Sequence, residues 1–382
     1  MPSLYDKLQS LQPARPARPA REGAPECLVV KTAYRHADIR ESALGSQTLS
    51  LLSAGKTEGS FAPEDLLFLD TETTGLSHGA GTVAFLVGLG EVRDGQLHVT
   101  QMLMRDYAQE TRMLKEIQGL LSRRRCLVTY NGASFDLPLL QGRMAMNRLR
   151  EDFSGHAHVD LLHAARRVYK LRLGRCGLSR MEEALFGEPR AGDLPGSDIP
   201  KRYFDYLDTG DEGLLEDVLA HNRLDILSLA RLFFRMAALH GEPLSATHPE
   251  DLLSLGIGYE RQGRRERAEV CYRACTDKAV EGIARLRMAE MYRRSRRDRE
   301  AAEAYESLRQ GPAQSARVYI ALAKLYEHRF RDPDRALEMA RQGMLYCSER
   351  QGTGGQNEGE YRDLERRCLR LMRKVGNSRN EV

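Results

Sequence analysis

The 382-residue chain has no apolar run approaching 20 residues, so no transmembrane helix is expected. Its first residues, MPSLYDKLQSLQPARPARPAREG, lack the continuous apolar stretch of a secretory signal. Seven cysteines are scattered without a disulfide-like framework, which fits a reducing cytoplasm. Cys271 and Cys275 stand at helical i, i+4 spacing, but no further Cys or His ligands cluster with them, and packing as small hydrophobes is the expected role. No Walker sequence occurs. The glycines of GLGEVRDG lack the strand–helix context of a dinucleotide fingerprint, so nucleotide-driven activity is not expected. HAHVD (156–160) has a His-x-His pattern found in some zinc hydrolases, but the further His and Lys ligands of such sites are missing from matching strands.

What is present is a chain 41% hydrophobic and 29% charged, long enough for two or three globular domains with a sizeable core. Net charge is only +4, yet arginine is clustered. RRVYKLRLGR (166–175) has five basic residues (Arg166, Arg167, Lys170, Arg172, Arg175) and no acid; RRSRRDR (293–299) has five arginines and one acid. A single such cluster is ordinarily a solvated helix face. Two of them in a chain that also carries an acidic metal-type site point to a polyanionic partner.

Residues 1–25 read as a short amphipathic helix (Leu4, Leu8, Leu11) followed by an extended, disordered Pro/Ala/Arg segment, and CLVVKTAY as a short strand. LLFLD (66–70) reads as a buried strand. TVAFLVGLGEVRDGQLHVTQMLM (82–104) reads as two alternating strands around an Asp94-Gly95 turn. A helix near 109–122, the strand CLVTYN (126–131), a helix from about 135 to 149 and the strand-to-helix passage HVDLLHAARRVYK complete a mixed α/β sheet flanked by helices. Further on, Tyr259, Tyr292 and Tyr326 lie 33 and 34 apart, and Ala268, Ala302 and Ala336 lie 34 apart. A small residue where two helices cross, with an aromatic one helix earlier, marks a 34-residue helix–turn–helix repeat, which resembles the tetratricopeptide (TPR) family. The expected organisation is an N-terminal extension (1–59), an α/β domain (60–241), TPR-like repeats (245–348), and a flexible break with a basic C-terminal helix (349–382).

FLDTETTGL (68–76) places two carboxylates where a buried strand emerges. In a strand Asp70 and Glu72 face the same side, and together they stay ionised only beside a cation. The tight turn that follows fixes them, unlike a pair of surface loop acids. Oxygen ligands favour magnesium or manganese, and more acids are required. Asp136 in TYNGASFDLPLL opens a helix after a strand, with Ser134 as its N-cap; alone it would only complement the helix dipole. In DVLAHNRLDILSLARLFF (217–234), read as a helix, Val218, Asp225, Leu229 and Leu232 share a sheet-facing stripe, so Asp225 interrupts an apolar face at a cost. His221 lies one turn earlier on the same side.

Asp70-Thr-Glu72, Asp136 in YNGASFD, and His221 with Asp225 resemble the three motifs of the DEDD 3′–5′ exonucleases of the ribonuclease H-like superfamily, over residues 66–233. HVDLLHAARR, GLSRMEEALFG and KRYFDYLDTGD are closer still to the YprB-type branch, which joins this nuclease domain to C-terminal TPR-like helices. A His stands four residues before the last Asp, where one DEDD subgroup has Tyr; the other subgroup has its His five before. The resemblance implies two Mg²⁺ or Mn²⁺ ions held by Asp70, Glu72, Asp136 and Asp225. It further implies His221 taking or orienting the proton of the attacking water, and release of nucleoside 5′-monophosphates from a 3′ end. Leu76 and Asn131, beside the motifs, are candidates to contact the terminal nucleotide, and the arginine-rich faces to hold the backbone. Asp160 either orients its helix near the site or simply caps it. The expected function is a DNA exonuclease of DNA repair with a helicase partner and a possible protein partner on the repeats. An RNA-processing exonuclease shares the same chemistry. A non-catalytic TPR scaffold with a degenerate nuclease fold is opposed by the complete set of four acids and a His.

Overall fold

The computed structural model describes residues 26–39, 46–56, 59–75, 81–150, 153–190, 192–311, 313–349 and 358–380. The helix and Pro/Ala/Arg segment expected over 1–25, and Leu76, lie outside them. Two compact units divide the described chain: one runs to His163 and resumes over Gly177–Met236, the other comprises Ala164–Cys176 and the residues from Ala237 onward.

In the first unit six strands form one sheet: β1 (Leu28–Arg35), β2 (Leu66–Thr73), β3 (Ala84–Arg93), β4 (Gln96–Leu103), β5 (Cys126–Thr129) and β6 (Ala157–Asp160), in the order β1-β4-β3-β2-β5-β6. β1, from the segment read as an N-terminal extension, is an edge strand paired with β4. The β3–β4 hairpin closes on Asp94 and Gly95, both at positive φ (50° and 67°), as a two-residue turn matched to strand twist requires. β2 pairs antiparallel with β3 and parallel with β5, and β5 is parallel to β6. β2 is therefore the strand at which pairing changes sense. Its buried LLFL run suits the sheet centre, and its carboxyl end opens where ligands of such sheets commonly bind.

The helices of this unit are α1 (Ser46–Leu52), α2 (Glu110–Leu121), α3 (Asp136–Met146), the start of α4 (Leu161–Leu173), α5 (Leu178–Phe186), α6 (Ile199–Thr209) and most of α7 (Glu216–Gly241). Alternation along β2 divides the core. Leu67 and Leu69 join the cluster that includes Met113 and Ile117 of α2 and Tyr203 of α6, where Phe85 stacks on Tyr203 at 3.9 Å between ring centroids. Phe68, on the other face, meets Phe233 of α7 edge-on at 5.7 Å. α7 lies close because β3 carries glycines beneath it. A Cβ on Gly88 would stand 2.3 Å from Asn222 Oδ1, and one on Gly90 2.7 Å from Ile226 Cγ2. Gly88 is the register partner of Asp70.

The second unit is helical: after the rest of α4 and the end of α7 come α8 (Pro249–Arg261), α9 (Arg265–Ala274), α10 (Glu281–Arg294), α11 (Asp298–Leu308), α12 (Ala316–Leu325), α13 (Pro333–Glu349) and α14 (Glu358–Asn380). Tyr259, Tyr292 and Tyr326 are all buried, each near the end of the first helix of a helix–turn–helix pair. Each turn passes through one left-handed residue: Gly263 (φ 74°), Arg296 (61°) and Arg331 (56°). It closes with a backbone bond to the Tyr carbonyl, from Arg264, Arg297 and Asp332 respectively (2.9, 3.0 and 2.8 Å). The third turn is one residue longer because Tyr326–Phe330 form a π-helical turn. The alanines show the same offset. Ala268, Ala301 and Ala336 each donate a backbone bond to the residue four earlier at the helix start, and each is 0% exposed. The repeat position is thus Ala301, and Ala302 of the sequence reading is its neighbour. All seven cysteines are buried and unpaired.

Gly88→Ala should lower stability by about 1–3 kcal/mol through overpacking under α7. Gly119→Ala, where a Cβ meets nothing within 4 Å in α2, should raise it by about 0.5–1 kcal/mol. Urea unfolding of the two variants checks the opposite signs.

Candidate active site

The strand pleat sets the first two ligand candidates. Asp70 and Glu72 project from β2 on the α7 face and are half-buried. The register between β2 and β3 slips at Glu72/Thr73, an irregularity of the kind that re-aims side chains at sheet ends. Asp70 Oδ2 accepts from Asn222 Nδ2 at 2.9 Å. Asn222 is fully buried, and its Oδ1 in turn accepts from Gln101 Nε2 at 3.0 Å, so a chain of amides runs from β4 through α7 to the acid.

Asp136, in the first turn of α3, is buried and accepts a hydrogen bond from Thr71 Oγ1. The sequence assigned Ser134 as the cap of this helix, but the helix begins after Phe135 without a side-chain cap. The preceding loop is held instead by Asp160, whose carboxylate accepts the backbone N–H groups of Asn131 (2.9 Å), Ala133 (3.2 Å) and Leu162 (3.0 Å). Asp160 therefore both caps α4 and sets the loop that delivers Asp136. Asn131 sits in that loop at φ 68° with its side chain exposed. Phe135 packs against the core.

α7 presents His221 and Asp225 one turn apart, with His221 Nε2 3.6 Å from Asp225 Oδ2. The ligand atoms of Glu72, His221 and Asp225 all lie within 4.8 Å of one another. His221 Nδ1 is 2.9 Å from the Asp193 carboxylate. That contact leaves Nε2 facing the acids when Nδ1 carries the proton. Arg190 is the cation of the site: it binds Glu182 through two nitrogens (2.6 and 2.5 Å), reaches Asp193 at 3.0 Å and pairs with Asp225.

Crowding and burial raise the carboxyl pKa values. Burial, then the charges of Asp225, Glu72 and Asp136, push Asp70 well above the usual carboxylate range, against the pull of Asn222. Burial, then Asp225, Asp136 and Asp193, does the same to Glu72, with Arg190 opposing. Asp136 is raised to about 6, chiefly by burial. Asp225 is raised by burial in spite of Arg190 and His221. Asp193 differs: burial lifts it, but the hydrogen bond from His221 and the contacts of Arg190 outweigh that, and it lies below the ordinary value. The donor set, hard carboxylate oxygens with one imidazole and too little positive charge, fits a divalent cation.

The five residues assigned to the metal and the proton thus come together: the charges of Asp225, Glu72 and Asp136 all bear on Asp70, and His221 adjoins Asp225. Leu76 is outside the described residues. Arg166, Arg167, Lys170, Arg172 and Arg175 belong to the second unit. Among them Arg166, Lys170 and Arg175 are exposed, Arg167 is half-buried, and Arg172 is committed to Asp251, with Nε 3.0 Å from both carboxylate oxygens. His158 of the His-x-His pattern bonds Thr129 Oγ1 at 2.9 Å, and His156 contacts the Leu121 carbonyl at 3.1 Å. Sequence reasoning missed Asn222, although it is a second polar residue on the Val218–Asp225–Leu229 stripe and carried a signal. It also missed Glu182, Arg190 and Asp193, which come from GEPRAGDLPG and the helix before it, where no spacing links them to the acids.

Residues 67–237 match the family described as the RNase_H superfamily. The protein YprB of Bacillus subtilis (strain 168), itself described as uncharacterized, is 31% identical over 316 residues, 81% of this chain and 75% of that protein. The family B DNA polymerase of the archaeon Pyrobaculum calidifontis overlaps 52% of this chain at 16% identity. The chain spans 29% of that polymerase, and the TM-score of 0.33 is too low to carry a conclusion. With a mixed sheet that gathers its acids at the end of the central strand, residues 67–237 are an RNase H-superfamily domain, and the chain belongs to the family of Bacillus subtilis YprB.

Proposed function

We propose that the chain is a divalent-metal-dependent 3′–5′ exonuclease acting on DNA. The observation that carries this reading is the meeting of Asp70, Glu72, Asp136 and Asp225 with an imidazole whose far nitrogen is held by a carboxylate. The four acids would hold two Mg²⁺ or Mn²⁺ ions, which when bound lower the pKa of a water and offset the charge that grows on the phosphoryl oxygens. The chain's own groups do the rest. Asp193 keeps the Nδ1 proton of His221 in place and stabilises the imidazolium. His221 Nε2 is then the acceptor for the proton of the attacking water. Asn222 fixes the rotamer of Asp70 through an amide that Gln101 in turn holds. Arg190 pairs with Asp225, pulling against the burial that raises this carboxyl, and aims it. Asn131 and Leu76 are the candidates for the terminal nucleotide; the repeats of the second unit are read as TPR-like, and Arg166, Lys170 and Arg175 as exposed phosphate contacts.

Asp70→Ala should abolish Mn²⁺-dependent release of mononucleotides from 3′-labelled DNA; full activity in that variant would remove the site assignment. Running the same assay on 3′-labelled RNA decides between the two polymers. His221→Ala is expected to slow hydrolysis by about 10²–10⁴-fold with the circular dichroism spectrum unchanged. A collapsed spectrum would instead make it a core residue.

The raised carboxyls also fix a pH dependence. An unfolded Asp ionises near pH ~4, whereas Asp136 in the fold ionises near about 6. Between these values the folded state holds the extra proton, so this carboxyl's contribution to stability declines as pH rises through that window. In EDTA the melting temperature should fall more steeply from pH 4 to 7 for the native chain than for Asp136→Asn. Mn²⁺ should raise it more at pH 7 than at pH 5, because the acids must lose protons to bind. An equal Mn²⁺ shift in Asp136→Asn would exclude this acid as a ligand.

A further inference from the structure

The second unit contains an open groove of about 550 Å³ between the ends of α10 and the exposed face of α12. Six permanent cations line it: Arg293, Arg294, Arg296, Arg317, Lys324 and Arg329. Glu290 is the single acid among the lining residues. The positions are not accidental to one helix. Arg317 and Lys324 lie seven apart on α12, two turns along one face, with Ala321 between them. Arg293, Arg294 and Arg296 come from the end of α10 and its turn, and Arg329 from the π-helical turn after α12. Ile320, Leu325 and the ring of Tyr305 give the groove apolar walls between the charges.

Four of the six pair with acids of their own unit, Arg294 with both Glu260 and Glu290 at 3.1 Å. Arg293 is 3.6 Å from Glu290, Arg317 3.1 Å from Glu360, and Arg329 3.6 Å from Asp298. Pairs of this kind contribute little and exchange readily. Arg296 and Lys324 are exposed and make no ion pair among the described residues. Arg296 also occupies a left-handed position that its counterpart in the first repeat fills with Gly263. A side chain there costs about 1 kcal/mol of backbone strain, and no ion pair of Arg296 among the described residues offsets it.

We infer that this groove binds the sugar–phosphate backbone of nucleic acid, as a second contact surface apart from the acids of the RNase H-superfamily domain. Six cations on one groove, two of them in no ion pair among the described residues, select a polyanion, and the apolar walls suit the sugars and base edges that accompany phosphates. An acidic protein segment would satisfy the charge alone. A polynucleotide is favoured because the same chain carries a domain of a nucleic-acid-processing superfamily.

The test is fluorescence anisotropy of the full chain with a labelled single-stranded 20-mer of DNA in EDTA. Nothing is hydrolysed under those conditions, so the result is independent of the proposed exonuclease activity. Arg296→Gln combined with Lys324→Gln should weaken binding about tenfold or more near 0.1 M salt, and should flatten the slope of log affinity against log salt by about 1.4, the loss of two single-strand contacts. Both side chains are exposed and in no ion pair among the described residues, so the melting temperature should stay at the native value. Unchanged affinity and slope in the double variant would overturn the inference. So would displacement of the 20-mer by poly-glutamate at equal charge concentration, which would assign the groove to an acidic protein partner.

Discussion

Carboxylates that repel one another hold the first unit's chemistry in tension. Asp70, Glu72, Asp136 and Asp225 converge where β2 ends, and each is pushed toward protonation by burial and, for the β2 pair most of all, by its neighbours. No fold collects such groups for stability, since hydrophobic residues of similar volume would pack there at lower cost. The surroundings are consistent with that tension: Thr71, Asn222 and Arg190 each donate to or pair with one acid, and none of these contacts brings a second full positive charge.

Keeping the acids together depends on how closely α7 can approach the sheet. Gly88 and Gly90 remove the side chains that would hold the helix off, and Asn222 fills the space above Gly88 while reaching Asp70. The same glycine that permits the packing therefore also permits the polar contact. Backbone geometry and ligand geometry are coupled through one missing Cβ, and Asp70 faces Gly88 across the β2–β3 ladder.

Much of this was legible in the sequence because each signal was local. The LLFL run, the Asp-Gly turn and the alternating hairpin specify a sheet centre and its neighbour by side-chain period alone, and Asp225 stood out because an acid on an apolar helix stripe needs a reason. Asn222 obeyed the same logic and was passed over, since a buried amide can be satisfied in more ways than a buried charge. Arg190 and Asp193 were not legible. They reach the site from a turn-rich segment by tertiary folding, and nothing in the spacing of GEPRAGDLPG records where its ends arrive. The alanine period misled for a related reason: two adjacent alanines, Ala301 and Ala302, made the wrong one fit an even 34-residue count, while the backbone bonds mark equivalence at 33 and then 35.

That uneven count has a consequence for how such an array changes length. The extra residue of the third repeat is absorbed in the five-residue π-helical turn Tyr326–Phe330, with the buried Tyr, the left-handed turn and the buried Ala all retained. An insertion at a helix end is thus confined to a local bulge and is not passed on as a phase error to α13. Repeats built this way can drift apart in length one residue at a time and still stack, which makes a fixed sequence period a poor ruler for their ancestry.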